Sequence, residues 1–142
     1  MTCCFFGHKD TPSSVYDHLK EVVEKLIVED DVTSFLVGNQ GHFDSLALGA
    51  LRHFKKQYPQ INYNVVLAYM PAEKEEWDPY EFGETMLPEG IESVHPRYAI
   101  SWRNKWMVNE SDVIVSYIAH SWGGAAKYVE MAAKKGKIIV KL

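Results

Sequence analysis

The chain has 142 residues, 46% hydrophobic and 24% charged, with a formal charge of −4. That length suits one domain with one sizeable core, 1–142, and the composition is too apolar for a disordered chain. The acidic balance argues against nucleic acid as a partner, because phosphate neutralisation by Lys and Arg dominates such binding, though it leaves room for a local basic pocket.

Thr2 to Phe6 reads as a short apolar strand that runs into the turn Gly7-His8-Lys9-Asp10. Thr11-Pro12 is a helix start signal, Thr as N-cap and Pro at the first helical position. Val15, Leu19, Val22, Val23, Leu26 and Ile27 then recur at helical spacing. Thr33 to Val37 is a second strand closed by Gly38-Asn39-Gln40-Gly41, and Phe43, Leu46, Ala47, Ala50, Leu51 and Phe54 mark a second amphipathic helix. Tyr63 to Tyr69 is a third strand.

From Met70 to Pro96 the pattern breaks: four of the six prolines and eight of the nineteen acids fall there. A connection this long is expected to be a functional loop or lid, or else a solvated acidic excursion. Arg97 to Asn109 follows as a third helix with a broad apolar face. Asp112 to Tyr117 is a fourth strand, and Ala119 to Gly124 is its exit turn. Ala125, Tyr128, Val129 and Ala132 mark a last helix that Gly136 should stop. Lys137 to Leu142 is the fifth strand.

Strands alternating with amphipathic helices imply βαβ units and a parallel sheet covered on both faces. The expected fold is therefore a Rossmann-like, three-layer α/β/α arrangement. Its five-stranded, mostly parallel sheet should have the order 3-2-1-4-5, with the long loop after strand three. Cys3 and Cys4 are adjacent, should point to opposite faces, and are poor partners for a disulfide or a CxxC unit. Free thiols, no apolar run of bilayer length, and a strand beginning almost at the first residue predict a cytoplasmic protein outside the membrane.

In a doubly wound sheet, ligands bind beyond the carboxyl ends of the strands where the order reverses. The turns bearing Gly7, Gly38, Gly41, Gly123 and Gly124 should converge there. Glycine tolerates positive φ and lets backbone N–H groups approach an anion, and each turn feeds a helix N-terminus that favours phosphate. Neither GxGxxG nor GxxxxGK[ST] occurs, which counts against an ordinary dinucleotide dehydrogenase and a P-loop NTPase. HExxH, paired Cys/His spacing and GxSxG are also missing, so neither a metal centre nor a nucleophile elbow is expected, although His8, His42 and His120 lie on or beside these turns.

Several stretches together resemble the SLOG superfamily, which takes in the LOG and Smf/DprA proteins, and within it the YpsA-like branch. They are Cys4-Phe5-Phe6-Gly7-His8-Lys9, Gly38-Asn39-Gln40-Gly41-His42-Phe43-Asp44-Ser45-Leu46-Ala47, Arg103-Asn104-Lys105-Trp106-Met107-Val108, Ser111-Asp112 before a strand, and Gly123-Gly124. The resemblance covers essentially the whole chain and implies a domain that binds nucleotides or nucleotide-derived ligands, as a sensor or as an enzyme. The LOG branch, which releases the base from cytokinin nucleotides, carries PGGxGTxxE. Here that stretch reads from Trp122 to Glu130, with Trp for the proline and Ala126-Lys127 for Gly-Thr, which counts against LOG-type activity.

The candidate ligand-binding residues are Gly7, His8, Lys9, Gly38, Gly41, Asp44, Arg103, Asn104, Ser121, Gly123 and Gly124. Lys9 and Arg103 would neutralise phosphate charge. Asp44 would accept from a ribose hydroxyl, or else serve as a favourable charge in its helix's first turn. Trp77, Trp102, Trp106 and Trp122 offer rings to stack on a base or on single-stranded nucleic acid, or else to pack the core and the long loop. The leading expectation is a nucleotide-type ligand with no further cofactor, bound as a sensor would bind it. One alternative is an N-glycoside hydrolase or ribosyl-transferring enzyme acting on nucleoside phosphates, with Glu130 or Asp44 as the catalytic carboxylate. Another is a DprA-type single-strand nucleic-acid binding module. A homodimer formed through a helix face is a further expectation for a sheet protein of this size.

Overall fold

Neighbouring side chains of an extended strand face opposite ways, and the first strand uses this to seed two cores. In the computed structural model, which describes residues 1–70, 80, 81 and 83–142, strand β1 spans Thr2–Gly7. Cys3 and Phe5 enter one buried cluster, and Cys4 and Phe6 enter the other. Both thiols are free and buried, on opposite faces as their adjacency requires.

The first core is closed by helices α1 (Tyr16–Val28) and α2 (His42–Gln57), through Leu19, Val23, Phe43, Leu51 and Phe54. The second is closed by α3 (Ala99–Glu110) and α4 (Gly124–Lys134), through Met107, Val108, Tyr128 and Ala132. Between them lie β1, β2 (Ser34–Val37), β3 (Asn62–Val66), β4 (Thr85–Met86), β5 (Val113–Tyr117) and β6 (Ile138–Lys141). Every pairing is parallel, and β1 sits centrally with Cys4 opposite Leu36 on one side and Ile114 on the other. Each large side chain buried in these layers stabilises by roughly 1.5–3 kcal/mol.

The sheet has six strands in the order β4-β3-β2-β1-β5-β6, which corrects the expected five. The expected order holds for the five long strands, and β4 adds an edge to β3 from within the acidic stretch. Two residues are too short to show periodicity. The acid before them, Glu84, is buried rather than solvated, held by Arg52 and Tyr63. The expected lid over 70–96 falls in part on residues 71–79 and 82, outside the described residues. From Gly83 onwards that stretch holds β4 and two short 3-10 turns, Ile91–Ser93 and Pro96–Tyr98.

Thr11 does not cap a helix. Its buried hydroxyl donates to the His8 carbonyl at 2.7 Å, and the chain passes through a 3-10 turn, Ser13–Val15, before α1 begins. Gly136 does end α4: at φ +78° its N–H donates to the Ala133 carbonyl and that of Lys137 to Ala132.

Candidate functional site

Successive strands step from β1 to β4 towards one edge, and β5 and β6 lie towards the other, so the order reverses between β1 and β5. Beyond the carboxyl ends of those strands lies a cavity of about 630 Å³. That volume is within the range of small-molecule sites. Gly7, His8, Lys9, Gly38, Gly41, Asp44, Arg103, Asn104, Gly123 and Gly124 all line it. Ser121 does not, and its side chain is exposed.

The glycines serve two different purposes. Gly7 is needed for contact: a Cβ there would lie 2.2 Å from Cγ of Phe43, so only glycine lets α2 press onto the end of β1. Gly41 is similar, since its Cβ would lie 2.7 Å from the Lys9 Cα. These approaches close the first helix terminus. The His42 N–H donates to the Lys9 carbonyl at 3.1 Å and the Phe43 N–H to the His8 carbonyl at 3.4 Å. Asp44 sits in that same first turn, its Oδ2 accepting the Gln40 N–H at 2.9 Å. With its donors taken and a carboxylate present, the N-terminus of α2 is a poor anion site, contrary to the expectation that each turn offers one.

The N-terminus of α4 is open. No side chain caps it, no acid lies in its first turn, and no loop carbonyl accepts from its first N–H groups among the described residues. Gly123 precedes it at φ +91°, the left-handed region that favours glycine, with nothing within 4 Å of where a Cβ would stand. Unpaired donors and the positive end of the helix dipole therefore face the cavity.

Arg103 supplies the charge. It is 1% exposed, on the buried face of α3 with Ala99 and Met107. Its Nε donates to Asn104 Oδ1 at 2.8 Å, and its Nη1 donates to the Val66 carbonyl at 2.8 Å and to Asn39 Oδ1 at 3.2 Å. All three acceptors are neutral. Among the described residues, no carboxylate lies within ion-pair distance of the guanidinium, and Nη2 has no hydrogen bond. Burial lowers the Arg103 pKa, against the raising effect of the nearby Asp44. Burial likewise raises the carboxyl pKa of Asp44, opposed by the Gln40 N–H and by Arg103. A buried guanidinium without a contacting anion is costly, and an anionic ligand would offset that cost. Lys9 and Arg97 add exposed cations at the rim.

Three rings join the two central turns. His8 Nε2 accepts the N–H groups of Ala119 at 2.9 Å and His120 at 3.3 Å, so it carries no proton on that nitrogen. The His8 ring stacks on His120 at 3.6 Å between centroids, and His120 stacks on Trp122 at 3.8 Å. His120 Nδ1 donates to the Trp122 carbonyl, and its Nε2 lies 3.6 Å from Asp10 Oδ1.

Glu130 stands apart. Its side chain is 69% exposed, paired with Lys134 at 3.2 Å one turn along α4, and it does not line the cavity. Its distance along the helix turns it away from the cleft, so the catalytic role expected for it has no geometry behind it. Among the described residues, no group of three or more His, Cys, Asp or Glu is arranged to hold a metal. His42 is tied to the Thr11 carbonyl. The sequence reading did not place Arg97 or Tyr128 at the ligand, although both line the cavity; Gln40, His120 and Trp122 line it too, from within the turns expected to form it. A cue existed for Arg103, a charge on an apolar stripe, but nothing in the sequence tells which tryptophan is exposed.

No protein-family model and no curated protein matches the chain. Among solved structures, the chain is similar to DNA processing protein A (DprA) from Streptococcus pneumoniae, with a TM-score of 0.66 at 14% identity over 99% of this chain and 49% of that one. At that identity the likeness is one of fold, the fold that the resemblance implied. The chain spans about half the length of that neighbour. No helix among the described residues is long and apolar enough to cross a membrane.

Proposed function

We propose that the chain binds a nucleotide or nucleotide-derived ligand at the carboxyl edge of its sheet, with the phosphate between the N-terminus of α4 and the guanidinium of Arg103. One observation carries this reading: Arg103, buried and hydrogen-bonded only to neutral partners among the described residues, lines the same cavity as the α4 N-terminus, which no side chain caps. Each feature attracts an anion, and together they supply charge, directed donors and exclusion of water. The role fits a sensor. Membership of the YpsA-like branch, a cytoplasmic setting and a homodimer belong to this proposal, supported by the resemblance and by the two free buried thiols.

Titration calorimetry with AMP tests it. Gly124→Asp places a carboxylate at the start of α4, where the dipole favours it, so the variant should fold well while excluding phosphate. Binding by the parent and loss of at least ten-fold in the variant is the expected outcome. Equal affinity in both removes the reading.

A hydrolase reading is favoured by one observation, the half-buried Asp44 carboxyl with its raised pKa beside the cavity. Release of free base from AMP that is abolished in Asp44→Asn and retained in Glu130→Gln would establish it. A nucleic-acid reading draws on the fold neighbour, a protein named for DNA processing. Single-stranded DNA retained in a salt-sensitive manner would support it.

A further inference from the structure

Trp122 is among the most exposed large apolar side chains of the described residues. Its side chain is 71% exposed, immediately before the Gly123–Gly124 turn, and an indole left in water forfeits the burial that usually stabilises it. Yet the ring is held in place. One face lies on His120, 10° from parallel, and His120 lies on His8, 17° from parallel. His8 is in turn fixed by the N–H groups of Ala119 and His120, and the carbonyl of Trp122 itself accepts from His120 Nδ1. The result is a column of three flat rings, buried at the His8 end and open at the Trp122 end, where it lines the cavity.

We propose that Trp122 is a stacking shelf for the heteroaromatic base of the ligand, and that it sets the specificity of the site for mononucleotides over bare sugar phosphates. The inference rests on the phosphate placement above and goes beyond it by assigning the other end of the ligand. The orientation follows from burial. The cation that would meet phosphate is on the floor, and the open aromatic face is at the rim. Trp122 adjoins the two glycines of the anion site, so the ribose would bridge neighbouring parts of one turn. The three-ring column fixes the indole before the ligand arrives, which removes most of the ordering cost of stacking a side chain. Stacking reads a π-face and not a hydrogen-bonding edge, so the site is tolerant of base identity, with purines ahead of pyrimidines by their larger overlap.

The test is calorimetry at fixed salt with AMP, UMP and ribose phosphate on the parent, Trp122→Ala and Trp122→Phe, each checked by thermal melting. Because the side chain is exposed, both variants should melt close to the parent. The parent should hold AMP about 10- to 100-fold more tightly than ribose phosphate, the range that stacking one base provides. UMP should fall between the two. Trp122→Ala should bring AMP down to the ribose phosphate level and leave ribose phosphate unchanged, and Trp122→Phe should recover most of the loss. AMP should also quench tryptophan fluorescence in the parent but not in Trp122→Ala. If ribose phosphate binds as well as AMP, or if Trp122→Ala leaves AMP affinity intact, the shelf is overturned while the phosphate site stands. If neither ligand binds the parent, the phosphate site fails and the shelf goes with it.

Discussion

Glu84 offers the clearest measurement of how the edge strand is held. Its side chain is 4% exposed and makes a two-pronged contact with Arg52, Nε to Oε2 and Nη2 to Oε1, each at 2.7 Å. The Tyr63 hydroxyl donates to Oε2 at 2.7 Å, and the Glu81 N–H donates to Oε1. The Arg52 hydrogen bonds are the main cause that brings the Glu84 carboxyl from its ordinary 4.5 down to about 2, helped by Tyr63 and opposed by burial. At about 1.36 kcal/mol per unit, that difference corresponds to about 3 kcal/mol of stability favouring the ionised, folded form. Arg52 is one-third exposed, and solvent screening brings the expected value to about 2–3 kcal/mol. The unfolded chain binds this proton more readily than the folded one. The contribution is therefore complete above pH 4.5 and is lost as pH falls towards 2. Glu84→Gln should cost about 2–3 kcal/mol at neutral pH, a fall in Tm of roughly 6–10 °C for a chain of this size. It should also flatten the stability profile between those two pH values. Urea unfolding across the pH range measures both effects. A variant within about 0.5 kcal/mol of the parent at pH 7, with a parallel acid limb, would refute the network as the anchor of β4.

Two further outcomes test the closed side of the cleft. Gly7→Ala forces a Cβ to within 2.2 Å of the Phe43 ring, so α2 or β1 must shift. About 1–3 kcal/mol should be lost, as for other overpacked cores, readable as a lower denaturant midpoint at unchanged m. His8 should titrate below 6.5, because burial and then His120 lower its pKa while Asp10 raises it. Protonation would remove the acceptor for two backbone N–H groups. Stability should therefore decline as pH falls from 6.5 through the folded value, and amide exchange at Ala119 and His120 should speed up over that window. An NMR titration placing His8 at or above 6.5 would contradict the stitched turn.

The elements that the sequence made legible are those with a long enough period. The stripes of α1 and α2 and the valine-rich strands each repeat often enough to declare a buried face, and their alternation fixed a parallel sheet. The expected order around β1 is the common arrangement of doubly wound sheets, and the five long strands follow it. β4 was hidden because only Thr85 and Met86 pair with β3, and the acid that precedes them, Glu84, is held by Arg52, 32 residues away in sequence. α3 was legible as a helix but not as an amphipathic one. Its buried face runs through Ala99, Arg103 and Met107, so a cation interrupts the very stripe that periodicity looks for.

That interruption is also where the site could be read. A charge at a core position opposes local patterning, and such conflicts between local and global rules concentrate at functional sites. The turn glycines do line one cavity, but the shared reason offered for them fits only one. Gly123 adopts positive φ beside open space, whereas Gly7 and Gly41 are there because α2 and the β1 exit turn leave no room for a Cβ. The consequence is an asymmetric cleft. The α2 side is sealed by its own carbonyls and carries Asp44, while the α4 side is open and uncapped. An anion entering between β1 and β5 would meet repulsion on one wall and unpaired donors on the other. Binding strength should therefore respond steeply to charge placed at Gly124 and only weakly to the Glu130–Lys134 pair, which is exposed to solvent and screened by it.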